Sequence, residues 1–310
     1  MRILHSLILM LLLLLAQLVP AWGTPVSSMV DEAGRTITVS KPFVRIISLY
    51  PAHTENLFSL GLGQEIIGVS KNEDFPPAAL GKPVFDYRED PERLLAARPD
   101  LVLVRPMIER SHPDLVAKLN QAGITVVSLQ PNSIDETYAY WRQLGLLTGR
   151  QAAAEAMVQR CRDELAVIDR LVAAIPVASR QRVYFETIHS KMKTIAPDSM
   201  AAFVLNKAGG INVAADAEQV RTTNIAAYGK ERILAKAASI DVFLAQQGVM
   251  NRVELATIVN EPGFAAIKAV REGKVHFVDE ELVSRPTLRL VDGIRHIGRL
   301  LYPQHFKADR

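Results

Sequence analysis

The 310-residue sequence predicts an α/β protein with two lobes, in which mainly parallel sheets are joined by one long α-helix. In the first half, short apolar runs alternate with short helical patterns. A long helical pattern follows, and a second alternating set begins at residue 182. Strands that alternate with helices are typical of parallel sheets whose faces are covered. The long helical pattern between the two sets therefore predicts a connector between two lobes.

Residues 1–23 differ in composition from the rest and predict a cleaved secretory signal peptide. Arg2 gives a positive start, and an apolar run of 13 residues follows at Leu7–Val19. The run is shorter than the ~20 residues that span a bilayer, although an uncleaved anchor helix is an alternative. We expect cleavage after Gly23 and a soluble periplasmic product. Because no cysteine lies at this cleavage site, we expect no lipid anchor.

The predicted first lobe covers residues 24–147 and begins with a hairpin that turns at Ala33-Gly34. The first helix is expected to have Thr54 as its N-cap and Glu55 in its first turn, because both residue types favour helix N-termini. A second helix is expected to begin at Glu92. Apolar runs predict the strands of this lobe at 44–49, 66–69, 101–104 and 125–129.

A long connecting helix is predicted within residues 148–176. Its apolar residues recur at steps of four, four, three and four, which places them on one face of a helix: Met157, Cys161, Leu165, Ile168 and Val172. Cys161 is the only cysteine of the chain, so no internal disulfide can form. Its position in the apolar stripe predicts a small buried side chain and not a nucleophile.

The predicted second lobe, residues 177–310, repeats part of the first. Residues 92–104 and 231–245 each begin with Glu-Arg, continue as a short helix, turn at an aspartate and enter an apolar run. Glu92 and Glu231 are 139 positions apart. A helix that ends at glycine and leads into a strand also recurs, at 115–129 and 264–278. The repeat predicts two Rossmann-like lobes, each with a carboxylate at an equivalent place.

Charge and motif content exclude several classes of function. The net charge is +3, and no lysine- or arginine-rich run is interleaved with aromatic residues, so nucleic-acid binding is not expected. The sequence has no Gly-x-Ser-x-Gly motif, no Walker-type phosphate loop and no Gly-x-Gly-x-x-Gly that opens a helix after a strand, so an enzyme is not expected. The histidines lack metal-ligand spacing, so no metal site within the protein is expected.

Candidate ligand-binding residues lie after predicted strands, because ligands of open α/β sheets bind beyond the carboxyl ends of the strands. Their arginines favour an anionic or oxygen-rich ligand. The two tyrosines could alternatively be packing residues. The candidates are Tyr50, Pro51, Tyr87, Arg105 and Arg110 in the first lobe, and Glu186, His189, Arg221 and Arg285 in the second.

Five segments together resemble the periplasmic substrate-binding proteins of ABC importers for iron-siderophores, haem and cobalamin. These segments are residues 45–70, 74–77, 92–104, 209–213 and 260–264, and the resemblance covers essentially the whole mature chain. It implies a monomer with no intrinsic cofactor, which delivers a metal chelate to a membrane permease and, through it, to an ATPase.

In that family a glutamate at the tip of each lobe docks onto arginines of the permease, and Glu92 and Glu231 stand at the matching positions. Charged groups fixed on two lobes can set the orientation of a partner. The alternative is that each glutamate only favours a helix N-terminus.

The resemblance and the arginines predict a ferric siderophore as the ligand. A corrinoid is the first alternative, although it would be expected to use more aromatic surface than the 6% aromatic content suggests. Haem is a further alternative, since Tyr87 or His189 could supply an axial ligand. An exported sensor that reports ligand occupancy to a membrane receptor is an alternative from another functional class.

Overall fold

The computed structural model describes residues 27–219 and 223–307. The predicted signal peptide and the candidate ligand residue Arg221 lie outside the described residues. The chain begins there with a hairpin of two antiparallel strands, β1 (Ser27–Val30) and β2 (Thr36–Val39). Gly34 in the turn has φ +77°, a conformation that glycine adopts without steric cost, and the predicted hairpin is confirmed.

The first lobe is built on a five-stranded sheet in which every neighbouring pair is parallel, in the order β5-β4-β3-β6-β7. Its strands are β3 (Ile46–Ser48), β4 (Ile66–Ser70), β5 (Val84–Phe85), β6 (Leu101–Val104) and β7 (Thr125–Ser128). Its helices are α1 (Pro51–Ser59), α2 (Glu92–Ala96), α3 (Pro106–Ser111) and α4 (Pro113–Gln121).

Helix α1 begins about one turn earlier than the sequence suggested. Tyr50 is the N-cap and Pro51 is the first helical residue, so the prediction that Thr54 caps this helix was wrong. Proline favours the first helical position because its φ is already helical and no N–H is lost there. The Thr54 hydroxyl instead donates to Ser48 Oγ at 2.7 Å.

Two helices follow the first sheet. Helix α5 (Ile134–Thr148) ends at Gly149, which is left-handed, and α6 (Gln151–Ala173) is the long helix. A Cβ on Gly145 would lie 2.7 Å from the Cβ of Ala154, so glycine is needed for the close approach of α5 and α6. All five residues of the predicted apolar stripe are buried, including Cys161.

The second lobe has a seven-stranded mixed sheet in which β8 pairs in parallel with β10 and β13, and β13 with β14. On the other side, β9, β12 and β11 form an antiparallel extension. A short turn at His189–Met192 joins β8 to β9, and tight turns produce antiparallel neighbours. The strands are β8 (Arg182–Ile188), β9 (Lys193–Ile195), β10 (Ile211–Asn212), β11 (Glu218–Gln219), β12 (Ile225–Ala227), β13 (Val242–Gln247) and β14 (Val275–Asp279).

The described residues of this lobe form six α-helices, and the last of them, α12, packs against the long helix α6 and against β14. They are α7 (Met200–Lys207), α8 (Lys230–Ala235), α9 (Leu255–Val259), α10 (Lys268–Arg271), α11 (Glu280–Ser284) and α12 (Leu290–Leu301).

The apolar core is continuous across the two lobes. One buried cluster contains Leu57 from α1, Trp141 from α5, Ile168 from α6, Phe185 from β8 and Ile297 from α12. Each lobe also has a smaller cluster of its own. Because the connecting helix and both lobes share one cluster, the carboxyl ends of the two sheets are held at a defined separation.

Candidate ligand site

A cavity of about 230 Å³ lies between the two lobes and is called the interlobe cavity below. Residues near or just after the carboxyl ends of strands in both sheets form much of it, in agreement with the rule for open α/β sheets. Its lining includes four side-chain amides, two arginines and one glutamate, together with apolar side chains. The residues are Tyr50, Pro51, Asn72, Arg105, Gln130, Thr187, Ile195, Ala201, Asn224, Ile225, Gln246, Val249, Met250, Glu280, Ser284 and Arg285.

A second cavity, of about 280 Å³, is formed almost entirely by the first lobe and is called the first-lobe cavity. It shares Tyr50, Pro51, Asn72, Arg105 and Val249 with the interlobe cavity. Most of the rest of its lining lies at the ends of β4 and β5 or directly after them, at the carboxyl edge of the parallel sheet. These residues include Ser70, Lys71, Phe85, Asp86, Tyr87 and Arg88.

Tyr50 and Arg105 line both cavities. The Arg105 guanidinium lies 4.9 Å from the centroid of the Tyr50 ring, within the range of a cation–π contact. Burial raises the pKa of the Tyr50 hydroxyl, and the positive charge of Arg105 opposes this only in part. Tyr50 therefore remains a hydrogen-bond donor at neutral pH.

Arg285 lines the interlobe cavity but is already paired with a carboxylate of the other lobe. Its guanidinium donates two hydrogen bonds to Asp74, both at 2.6 Å, and lies 3.7 Å from Glu281. Such bidentate pairs have strong directional preference. The charge of Arg285 is therefore balanced within the protein, and the pair ties the second lobe to the first.

The segment after Arg285 makes further contacts between the lobes. Asn56 and Trp141 both donate to the Pro286 carbonyl, at 3.0 and 3.2 Å. Arg289 pairs with the buried Glu55 carboxylate at 3.4 Å. Burial raises the pKa of Glu55, and its hydrogen bond from Thr287 and the charge of Arg289 counteract that rise. The lobes therefore meet through polar contacts as well as through the shared core.

Glu186 and His189 are brought together, but neither lines the interlobe cavity or the first-lobe cavity. Both are buried, and His189 Nδ1 lies 2.9 Å from Glu186 Oε2. Nε2 of the same ring lies 3.6 Å from Glu261, which also pairs with Lys230. Asn251 accepts a hydrogen bond from the His189 backbone N–H. We call these five residues the His189 network.

The two buried acid–base partners of the His189 network have perturbed pKa values. Burial raises the pKa of Glu186, while the hydrogen bond from His189 opposes the rise. The hydrogen bond to Glu186 raises the pKa of His189 against the effect of burial. Both shifts reflect a pair that holds a proton tightly inside the second lobe.

The remaining sequence candidates lie in different places. Tyr87 lines the first-lobe cavity, with its ring edge-on to His112 at 5.0 Å between centroids. Arg110 is exposed on α3 and lines neither cavity. The structure therefore places Tyr50, Pro51, Tyr87, Arg105 and Arg285 at the cavities.

Several lining residues were absent from the sequence candidates. Asn72, Gln130 and Asn224 were overlooked because asparagine and glutamine carry no distinctive spacing pattern. Gln130 follows β7 and Asn72 follows β4, so a consistent search of every strand end would have found both. The residues concerned are Asn72, Gln130, Thr187, Ile195, Ala201, Asn224, Ile225, Val249, Met250 and Glu280.

Glu92 and Glu231 lie at the starts of α2 and α8, and both are exposed. Among residues 27–219 and 223–307, neither forms an ion pair. The arginine that follows each glutamate is held by other groups. Arg93 pairs with Glu89 at 3.0 Å and lies over the Phe85 ring.

In the second lobe, Arg232 pairs with Asp216 at 2.9 Å and lies over the Tyr228 ring. Both lobes thus present an exposed carboxylate beside an arginine that is turned toward its own lobe. Within the described ranges no helix is long and apolar enough to cross a membrane, and no group of His, Cys, Asp or Glu side chains could hold a metal ion.

A model of the periplasmic binding protein family matches residues 46–282, and the fold and cavities described above agree with that match. This chain belongs to the periplasmic binding protein family. The members are class III binding proteins for siderophores, vitamin B12 or haem. They are substrate-binding components of ABC importers and not enzymes, and the family therefore implies a permease and an ATPase as partners. The predicted family and fold class are both confirmed.

Individual relatives cover most of this periplasmic binding protein. It is 27% identical over 280 residues to an uncharacterized ABC transporter substrate-binding lipoprotein of Bacillus subtilis. The aligned region covers 89% of this chain and 86% of the relative. It is 27% identical over 269 residues to a vitamin B12-binding protein of Vibrio cholerae, with 84% and 90% covered. A possible iron-binding, periplasmic solute-binding protein from Staphylococcus epidermidis has a similar structure, with TM-score 0.73, 28% identity, and 84% and 100% covered.

Proposed function

We propose that this protein captures a metal chelate in the interlobe cavity and delivers it to the permease of an ABC importer. The observation that carries the proposal is a cavity bounded by strand ends of both lobes. Amide groups and Arg105 face this cavity from the first lobe, and further amides face it from the second. Polar groups placed at fixed points around a partly apolar cavity are typical of small-molecule sites.

Two classes of chelate have specific support. The ferric siderophore predicted from the sequence is supported by the basic groups at the cavities, which suit oxygen-rich ligands. The corrinoid alternative is supported by curated relatives that are named vitamin B12-binding or cobalamin-binding proteins. The amides and the apolar side chains of the interlobe cavity are compatible with both classes.

Glu92 and Glu231 are the proposed docking residues for the permease. Each carboxylate is exposed at the start of a helix, and the adjacent Arg93 and Arg232 are engaged within their own lobes. The carboxylates are thus available to basic groups of a partner. We propose that the protein acts outside the cytoplasm as a monomer, without catalytic activity. The absence of a lipid anchor stays a prediction, and the Bacillus subtilis relative is itself named a lipoprotein.

Binding and uptake measurements test the two parts of this proposal separately. Calorimetry against ferric siderophores, cobalamin and haem should identify one tight binder, and no binding to any of them would refute the ligand class. With that ligand, Glu92→Ala combined with Glu231→Ala should abolish uptake in cells that carry the importer and leave the ligand Kd unchanged.

The matched control for uptake is Asp114→Ala combined with Glu254→Ala. These acidic residues are also exposed, one on each lobe. The control should transport normally. If the Glu92 and Glu231 variant also transports normally, the docking assignment is wrong.

A further inference from the structure

The first-lobe cavity differs in charge from the interlobe cavity. Lys71, Arg88 and Arg105 line it, and Asp86 is the one acidic residue among its lining residues. In the interlobe cavity, Arg285 is balanced by Asp74. The first-lobe cavity therefore has a net positive lining, and an anion that enters it would meet basic groups in excess.

Within residues 27–219 and 223–307, none of these three basic groups is held in a close ion pair. Lys71 lies 3.9 Å from Asp86, at the outer limit of such contacts. Arg88 donates to the Tyr87 hydroxyl at 3.0 Å, and its guanidinium lies 5.0 Å from the centroid of that ring. Arg105 rests on the Tyr50 ring. Guanidinium groups that lie on aromatic rings keep N–H donors free for a carboxylate or phosphate.

The interlobe cavity suits a different kind of chemical group. Seven of its ten polar lining residues are uncharged, four of them amides, and Glu280 adds a negative charge to the positive charges of Arg105 and Arg285. Its apolar lining comes mainly from the second lobe: Ile195, Ala201, Ile225, Val249 and Met250. Uncharged amides and apolar side chains complement the neutral body of a chelate and do not compensate an excess negative charge. The two cavities are adjacent, because Tyr50 and Arg105 line both of them, and a ligand that occupies both would pass these two side chains.

We propose that the ligand is a metal chelate with an anionic arm, whose body lies in the interlobe cavity and whose phosphate or carboxylate lies in the first-lobe cavity between Lys71, Arg88 and Arg105. This inference rests on the proposed function and adds a requirement for the arm. Lys71 is largely exposed, with 69% of its side chain accessible, so its share of the interaction is screened by salt. Arg88 and Arg105 supply the directional hydrogen bonds.

Matched pairs of chelates test for the arm. One pair is cobinamide and cobinamide phosphate; the other is a neutral ferric trihydroxamate and the same chelate with one appended carboxylate. The wild-type protein should bind the anionic member of at least one pair about tenfold more tightly at low salt, a difference of about 1.4 kcal/mol. The pair that shows the preference identifies the arm as phosphate or carboxylate.

Substitutions in the first-lobe cavity assign the preference to its residues. Lys71→Gln combined with Arg88→Gln should remove the tenfold preference and leave the Kd of the neutral member unchanged. The control Lys118→Gln removes an exposed lysine on α4 of the same lobe and should keep the preference. Equal affinity of the wild type for both members of each pair, or an equal loss for both members in the double variant, would overturn the proposal.

Inorganic phosphate provides a probe that does not depend on the chelate. In NMR titrations at millimolar phosphate, the Nε–H signals of Arg88 and Arg105 should shift in the wild type, and the Arg105 shift should be lost in the Lys71→Gln, Arg88→Gln variant. Absence of these shifts would overturn the basic subsite even if a chelate binds. If the shifts occur but no chelate binds, the proposed function fails and the anion subsite stands.

Discussion

Helices α2 and α8 carry the same Glu-Arg pair in their first turns, but the surroundings of this pair differ between the two lobes. In the first lobe, the neighbours of Glu92 are surface groups: Asp90 accepts a hydrogen bond from the Glu92 backbone N–H, and Arg93 pairs with Glu89. In the second lobe, Glu231 follows Lys230, which pairs with Glu261 of the His189 network.

The His189 network extends from α8 to the interlobe cavity. Asn251 donates to the backbone carbonyl of Gln246, a residue that lines the cavity, and accepts from His189. His189 approaches Glu261, and Glu261 pairs with Lys230 next to Glu231. The internal repeat therefore places a carboxylate at an equivalent position in each lobe, although the residues that surround this carboxylate differ between the lobes. Substitutions near Glu231 should therefore lower the free energy of unfolding more than substitutions near Glu92.

The largest loss of stability is expected when His189 is removed from the His189 network. His189→Leu leaves the fully buried Glu186 carboxylate without its partner, and breaking a buried pair in this way should lower the free energy of unfolding by about 3 kcal/mol. Denaturant unfolding at pH 7 measures the effect. A loss below about 1 kcal/mol would show that Glu186 does not depend on His189.

The change in stability with pH should be smaller than the loss caused by His189→Leu. The pKa of His189 is raised above its usual 6.5, so the folded protein holds this proton more tightly than the unfolded chain does. The resulting stabilisation is fully present below pH 6.5 and is lost as the pH rises through the raised pKa. The groups that face His189 are Glu186, Glu261, Asn251, the Phe264 ring and, through Glu261, Lys230.

Comparison with a non-titrating reference isolates this effect. Glu186→Gln combined with His189→Asn removes both titrating groups and keeps polar side chains. The stability advantage of the wild type over this variant should shrink between pH 6 and pH 8.5. An advantage that grows with pH would contradict the assignment of a proton to this pair.

The smallest loss of stability is expected for a substitution in the first lobe. Glu89→Ala removes the partner of Arg93, but both side chains are more than half exposed, at 53% and 60%. Exposed pairs of this kind contribute little because water and salt screen them. We expect a loss of at most about 0.5 kcal/mol in denaturant unfolding, and a loss comparable with that of His189→Leu would remove the contrast between the lobes.

Local sequence patterns predicted most elements of the first lobe and the long helix. The stripe from Met157 to Val172 has a strict helical period, and one buried face is the direct consequence. The start of α1 was misplaced because the sequence offers two valid start signals, Pro51 and Thr54. The structure adopts the first and uses Thr54 for a hydrogen bond to Ser48.

The candidate site was predictable in outline and not in detail. Tyr50, Arg105 and Arg285 follow predicted elements at the cleft edge and do line the cavities. Glu186 and His189 satisfy the same rule, yet they turn into the second lobe and pair with each other. Alternate residues of a strand point to opposite faces, so Thr187 reaches the cavity while Glu186 does not.

The two lobes, the long helix between them and the repeat that contains Glu92 and Glu231 could be read from the amino-acid sequence, because hydrophobic periodicity and repetition are local properties of the chain. Three features became visible only in the folded protein: the antiparallel extension of the second sheet, the Arg285–Asp74 pair between the lobes, and the separation of a basic cavity from an amide-lined one. These features join residues far apart in sequence, and their partners are set by which side chains the packed lobes bring within contact distance.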